Sequence, residues 1–497
     1  MFSHLIIDYF FVFSVIVIWF MLGYQFILFL PGYLYGFRAS RQRKELAEKA
    51  IELPAVSLMI PAHNESLVIN ETLEALLNLD YPRDRIQIQV LDDSTDLTTR
   101  LVRNLVTQYQ ARGLNIQLMH RARRDGFKAG ALAKGLERAT GELIAIFDAD
   151  FVPSADWLRR TVPQFRDSQL GCLQTRWGHL NHDQNLLTRL QALALDGHFV
   201  VEQTARADSG LFLNFNGTAG LWRRTAIEDA GGWQADTLTE DFDLSYRAQL
   251  RGWRAGYLPD VVVPAELPTQ IDAFRQQQFR WAKGNAQTMR KLAPRIWRAQ
   301  LPLHVRLAAL IHLAGYIFQL FMLVLLVLSL PVGLWAGGIQ HYFVWAGLTA
   351  FGLPLLYGLS KTEYTPRLRD RLIILPLLLL LGYGLSLSNS IAVLQGLVGY
   401  GGEFIRTPKF NLENHPAHAL DATVRHSVGW GELILSGYAL GVIALLWPKE
   451  GWASVPWLLS CVAGYLFIVG LNIKQSRQLS HSRQRRSEPA DNPTITA

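Results

Sequence analysis

The chain alternates between long greasy runs and ordinary amphipathic stretches. Residues 10–30 (FFVFSVIVIWFMLGYQFILFL) form one apolar run, and others fall at 308–333, 342–360, 372–398, 431–447 and 452–471. Each approaches or exceeds the roughly 20 residues that carry an α-helix across the hydrocarbon layer. Between residues 37 and 300 the pattern changes. Four short apolar runs have strand length: VSLMI (56–60), IQIQVL (86–91), NIQLM (115–119) and LIAIF (143–147). Helix-period segments such as 66–79 and 96–112 lie between them. Strands alternating with helices predict a mostly parallel sheet with helices on both faces. The pattern therefore reads as an α/β domain inserted in an α-helical membrane domain.

Charge gives the membrane segments a direction. Arg38, Arg41, Arg43 and Lys44 follow the first run, and only His4 precedes it. Excess Lys and Arg mark the cytoplasmic side, so the N-terminus is expected outside and the α/β domain in the cytosol. The run 372–398 has basic residues on both flanks, Arg367, Arg369 and Arg371 before it and Arg406, Lys409 and Arg425 after it. It also contains Pro376 and a polar half, SLSNS. It is read as an in-plane helix on the cytosolic side. The other five runs then cross, which leaves the basic C-terminal tail in the cytosol. The expected division is a membrane helix at 1–36, the α/β domain at 37–270 and amphipathic interfacial helices at 271–303. A membrane domain at 304–472 and a disordered basic tail at 473–497 complete it.

Composition narrows the function classes. Two cysteines, Cys172 and Cys461, are too few for a disulfide framework or a cysteine zinc site. The net charge of +7 suits cytoplasmic flanks facing anionic lipid. No basic motif for nucleic acid accompanies it, so no nucleic-acid partner is expected. Neither a G-x-S-x-G nor a Walker-type phosphate loop occurs. The histidines are scattered and suggest no metal cluster.

Polar residues gather where the strands end. PAHNE (61–65) follows the first strand, DDSTD (92–96) the second and Asp148-Ala149-Asp150 the fourth. In such sheets ligands bind beyond the carboxyl ends of the strands. Three acidic ends on one rim cannot hold a diphosphate without a cation or basic side chains. Asp148 and Asp150 suit Mg2+ or Mn2+, which take carboxylate oxygens and keep water or phosphate as other ligands. The triplet alone also fits a solvated loop. Lys128 lies in RRDGFKAGAL beside a helix start, either a phosphate site or a surface lysine. Thr239-Glu240-Asp241 is either a helix N-cap or the seat of a general base. Gln277-Gln278-Phe279-Arg280-Trp281 lies in an amphipathic basic segment that suits a membrane surface. Arg280 could fork onto a phosphate there, and Trp281 could stack on a sugar.

Taken together, LDDSTD (91–96), FKAGAL (127–132), FDADF (147–151), TED (239–241) and QQFRW (277–281) resemble the family-2 processive glycosyltransferases of the cellulose-synthase superfamily. QTRWGHLN (174–181), FNGTAGLWR (215–223) and EFIRTPKF (403–410) are most similar to its cellulose-synthase-like mannan and glucan synthases. The resemblance implies a GT-A-type, Rossmann-like cytosolic domain. It implies an inverting β-hexosyltransferase that polymerises sugar from GDP-mannose or UDP-glucose and moves the polysaccharide across the membrane. Transfer of a single sugar to a lipid is the alternative. By the same resemblance Asp92, Asp93, Lys128, Asp148, Gln277 and Arg280 would bind the nucleotide sugar, and Asp148 and Asp150 the metal. Gly217, Thr218 and Trp281 would meet the acceptor. Asp241 would be the base, with Glu240 in the same catalytic motif. Thr407 and Lys409 would belong to a gating loop at 400–412. Partners would be the nucleotide sugar, the growing polysaccharide and membrane lipids, in a plasma or bacterial inner membrane.

Overall fold

A computed structural model describes residues 2–47, 53–335, 357–358, 360, 364, 367–399, 402, 407, 409, 429–450 and 455–487. The four expected strands are present as β1 (Val56–Ala62), β2 (Ile86–Asp92), β3 (Ile116–His120) and β4 (Leu143–Ile146). β1 pairs in parallel with β2 and β4, and β2 with β3. Three further strands, β5 (Leu170–His179), β6 (Gly220–Arg223) and β7 (Arg254–Ala265), extend the sheet. The order is β3-β2-β1-β4-β6-β5-β7. β6 runs antiparallel to β4 and β5, so the sheet is mixed. Four residues, GLWR, are too few to show a strand period in sequence.

The reversal of β6 has a positional effect. Ile146 at the end of β4 pairs with Gly220 at the start of β6. The loop that enters β6 therefore arrives on the same rim as the end of β4. Strand side chains alternate between faces. Leu58, Ile60, Val90 and Ala145 pack in one core with the Ile69–Leu77 and Thr98–Gln110 helices. Met59, Leu91, Ile144 and Ile146 pack in the other with the Phe127–Arg138 and Glu240–Leu250 helices.

Among the described residues, five helices are long and apolar enough to cross a membrane: Ile6–Gln25, Ile317–Leu334, Leu368–Val398, Trp430–Trp447 and Val455–Arg477. Most of the run at 342–360 lies outside the described residues. The run read as an in-plane helix is one continuous helix, Leu368–Val398, through Pro376, and it too qualifies by length and composition. The run at 308–333 is divided by a turn at 314–316 into Leu303–Leu313 and Ile317–Trp335. The tail corrects the expectation of disorder from 473. Helix continues to Ser487, in a stretch free of Pro and Gly and rich in Lys, Arg, Gln and Leu, good helix formers.

Membrane helices and catalytic domain are tied together. Arg275 Nη2 lies 2.7 Å from Glu432 Oε1 on the Trp430–Glu450 helix. The Gln475 side chain accepts the Ile271 N–H at 2.9 Å and donates to the Thr269 carbonyl at 3.0 Å. The Leu368–Val398 and Val455–Ser487 helices cross at Gly384 and Gly464. A Cβ on Gly464 would meet Tyr383 Cβ at 2.5 Å and the Leu380 carbonyl at 2.8 Å. Small residues allow such backbone approach between membrane helices. Gly464→Val is expected to cost about 1–3 kcal/mol by overpacking and to lower the unfolding temperature of the detergent-solubilised protein. Gly437→Val, where a Cβ meets nothing within 4 Å, is the matched control and should leave it unchanged.

Candidate active site

The site begins with the alternation in FDADF. Phe147, Ala149 and Phe151 face the core and are buried, with rings of Phe147 and Phe151 edge-on to Trp157 and Trp177. Asp148 and Asp150 thereby point the other way, into the cleft. Thr72 Oγ1 donates to the Ala149 carbonyl at 2.7 Å, and the Val152 N–H donates to the Pro264 carbonyl at 3.0 Å. The segment is clamped on both sides. Thr218 takes part in this clamp: it is fully buried and accepts the Asp148 N–H at 2.8 Å.

Lys128, at the first turn of the Phe127–Arg138 helix, reaches across. Its Nζ lies 2.5 Å from Asp148 Oδ1 and donates to the Gly217 carbonyl at 2.9 Å. Gly217 is where Lys128, Asp148 and Asp241 converge. Its φ is +84°, and a Cβ there would meet Asp241 Oδ2 at 2.9 Å and Lys128 Nζ at 3.4 Å. Only glycine fits both the backbone and the space.

Asp241 stands in the first turn of the Glu240–Leu250 helix. Thr239 precedes that helix but makes no side-chain cap; its hydroxyl pairs with Thr288 Oγ1 at 3.2 Å. The QxxRW helix, Ile271–Arg298, passes here at close range. A Cβ on Gly284 would meet the Thr239 amide nitrogen at 2.8 Å. This crossing sets Gln277, Arg280 and Trp281 along the cleft wall.

The cleft encloses about 1260 Å3, counting its open mouth, and collects most of the residues named from sequence. Asp93, Lys128, Asp148, Asp150, Gly217, Glu240, Asp241, Gln277, Arg280 and Trp281 line it, with Thr407 and Lys409. Asp92 and Thr218 stand behind it. Asp92 accepts from Thr99 Oγ1 at 2.6 Å and meets His120 Nδ1 at 2.9 Å. Asp93 is gripped by both arms of Arg121, at 2.7 and 2.6 Å. Arg121 also donates to the Asp125 and Phe127 carbonyls, at 3.0 and 2.9 Å, tying the end of β2 to the Lys128 loop. Sequence reasoning missed Arg121 and the cleft-lining Arg124. The basic run RARR that follows β3, opposite the acidic ends, was the available signal. Of the expected gating loop only Gly402, Thr407 and Lys409 are described. Lys409 Nζ lies 2.7 Å from Asp150 Oδ2 and donates to the Glu266 carbonyl.

Electrostatics follow from this crowding. Burial, then the Glu240 carboxylate, push the Asp241 acid up to about 7 against the pull of Lys128. Burial likewise raises Glu240, with Lys128 opposing. The two titrate as a pair. Burial works to lower Lys128, but Asp148, Glu240 and Asp241 outweigh it and hold the ammonium above its ordinary value. An acid raised into the neutral range, next to a charged lysine, suits proton abstraction near neutral pH.

The acidic pair also bears on metal binding. Among the described residues no group of three or more His, Cys, Asp or Glu forms a complete cage. Asp148 and Asp150 offer two hard carboxylates at the cleft, each now facing a lysine. One or two carboxylates plus substrate phosphates is the set Mg2+ commonly takes, so the donor set fits.

A mixed sheet with an acidic rim, a D-x-D at the end of its central strand and a further carboxylate opposite is the layout of a GT-A-like domain. Residues 54–284 match the family model described as glycosyltransferase like family 2. Glucomannan 4-beta-mannosyltransferase 2 of Arabidopsis thaliana is 43% identical over 273 residues, 54% of this chain and 51% of that protein. Probable glucomannan 4-beta-mannosyltransferase 11 of Oryza sativa subsp. japonica is 47% identical over 244 residues, 48% of this chain and 43% of that one. The chain thus spans about half the length of the curated relatives it matches. Among solved structures, the mannosyltransferase PcManGT from Pyrobaculum calidifontis, in complex with GDP-Man and Mn2+, is 23% identical with a TM-score of 0.47, covering 72% of this chain and 98% of that one.

Gly217→Ala displaces either Asp241 or Lys128. Sugar transfer in isolated membranes is expected to fall about 100-fold, the scale of a 1 Å misplacement, at unchanged protein abundance.

Proposed function

We propose that the protein is a membrane-bound, inverting, processive β-hexosyltransferase that builds a mannan, glucomannan or glucan from a nucleotide sugar. The convergence of Asp241, Lys128 and Asp148 on Gly217, walled by the QxxRW helix, carries this reading. The names of the relatives favour a mannosyl donor, GDP-mannose, over UDP-glucose.

Asp241 takes the proton from an acceptor hydroxyl as its oxygen attacks the anomeric carbon. The bond from that carbon to the diphosphate oxygen breaks on the opposite side, so an α-linked donor gives a β-linked product. Lys128, Arg280 and Gln277 face the departing diphosphate, the preorganised charge that lowers the barrier. Asp148 and Asp150 would hold Mg2+ or Mn2+, which when bound neutralises part of the diphosphate charge. Trp281 offers its ring to the acceptor, and Gly217 leaves room for the acceptor beside the base. Asp93, fixed by Arg121, edges the nucleoside side of the cleft. The contact of Lys409 with Asp150 supports placing the 400–412 loop over the donor.

The catalytic domain is cytosolic in this reading, with the N-terminus outside and the C-terminus in the cytosol. The membrane helices that grip the QxxRW helix give the polymer its way out.

Asp241→Asn should keep nucleotide binding and lose at least about 100-fold in transfer, the lower end of a general base's contribution. The wild-type kcat/KM should fall as pH drops through about 7, where Asp241 takes up its proton, rather than near pH 4. Full transfer by the Asn variant, or a flat profile down to pH 5, removes Asp241 as the base. Membranes supplied in turn with labelled GDP-mannose and UDP-glucose should yield an alkali-insoluble polymer from one of them. Label found only in organic-soluble glycolipid contradicts polymer synthesis.

A further inference from the structure

Behind the acceptor side of the cleft lies a polar chain that the chemistry above does not use. It starts in a π-helical turn, Gly197–Gln203, between the Leu186–Asp196 and Thr204–Asp208 helices. π-turns of this kind recur at functional sites. The turn brings His198 and Glu202 together: Nδ1 lies 3.0 Å from Glu202 Oε2. Glu202 Oε1 accepts from Arg206 Nε at 3.1 Å and lies 3.6 Å from His312 Nε2. Burial works to raise the Glu202 acid, but the hydrogen bond from His198 and the charge of Arg206 oppose it and lower the group below its ordinary value.

An ionised Glu202 only accepts, so His198 Nδ1 carries a proton and donates to it. The other ring nitrogen faces two amides. Gln203 Nε2 is 3.3 Å from His198 Nε2, and Asn216 Nδ2 is 3.4 Å from it. Both amide nitrogens carry hydrogens, so Nε2 serves as acceptor. The ring is thus oriented with Nδ1–H toward the carboxylate and Nε2 toward the two amides.

That orientation fixes Asn216, which lines the cleft next to Gly217. Its Oδ1 already accepts from Asn214 Nδ2 and from Gln203 Nε2, the latter at 3.3 Å. Its backbone N–H is held by Gln174 Oε1 at 2.8 Å. The amide oxygen is engaged by Asn214 and shares Gln203 Nε2 with Asn214 Oδ1, which lies closer at 3.0 Å, and one Nδ2 hydrogen points to His198. The capacity left over is the second Nδ2 hydrogen, a donor.

We propose that His198, held in one orientation by Glu202, is a positioning residue that presents Asn216 as a hydrogen-bond donor to a hydroxyl oxygen of the acceptor sugar. The assignment rests on the glycosyltransferase reading above. It predicts that the group recognised is an oxygen able to accept, as every free sugar hydroxyl can. It also predicts that acceptor binding, not donor binding, depends on a residue outside the cleft wall.

The test is a double-mutant cycle on full-length protein in membranes, with a β-1,4-linked manno-oligosaccharide as acceptor and the donor the wild type uses. Asn216→Asp keeps the shape and removes the donor. It should raise the acceptor KM about tenfold, the scale of one lost hydrogen bond. His198→Leu should raise it to a similar extent, and His198→Gln, which keeps an acceptor atom, by less. The double variant Asn216→Asp with His198→Leu should be no worse than Asn216→Asp alone, because the two act through one contact. Donor-nucleotide Kd should stay at the wild-type value throughout, which also shows that each variant is folded. Multiplicative effects in the double variant, an unchanged acceptor KM in Asn216→Asp, or an equal loss of nucleotide affinity would overturn the proposal. A wild type that transfers no sugar from either donor removes the underlying reading as well.

Discussion

The site depends on compensating carboxylate charge in a confined space. Asp148, Asp150, Glu240 and Asp241 share one cleft, and such a group would repel both itself and a diphosphate. Lys128 answers this first. Its Nζ contacts Asp148 and the Gly217 carbonyl and acts electrostatically on Glu240 and Asp241. The surrounding features follow from giving that lysine its place. Gly217 must lack a side chain, Thr218 must hold the Asp148 backbone, and Arg121 must fix the loop that leads into the Lys128 helix.

The mixed sheet is what brings these parts together. A wholly parallel sheet would place the loop that enters β6 on the far edge. Because β6 is reversed, its entry segment FNGTAG arrives beside the end of β4. The Glu240–Leu250 helix then faces it from across the cleft. The rim thus receives acids from the end of β4, a carbonyl from the β6 loop and the Asp241 carboxylate from a helix far along the chain.

Much of this was legible before the structure. The four parallel strands stood out because each reads as a short apolar run, continuously buried in β1 and β4 and partly exposed in the edge strand β3. The alternation in FDADF was readable because the strand period puts the aromatics and the acids on opposite faces. TED could be read two ways, and the structure removes the capping alternative, since the Thr239 hydroxyl turns to Thr288 instead. Other features had no local signal. Asp93 and Arg121 are 28 positions apart, and Lys409 and Asp150 are 259 apart. The family resemblance placed Thr218 beside the acceptor, yet its side chain is fully buried and accepts the Asp148 N–H. The His198 chain was invisible because a π-turn changes the helical spacing that sequence patterns assume.

The tie between Arg275 and Glu432 bears on how such enzymes can be taken apart. The match to the family model ends at residue 284, inside a helix that runs on to Arg298. That helix carries Gln277, Arg280 and Trp281, and its position is set by Glu432 and Gln475 on separate membrane helices. The end of that match is therefore not a mechanical seam. Catalytic and membrane halves from two relatives could not be recombined as interchangeable modules unless those pairings were carried across with them.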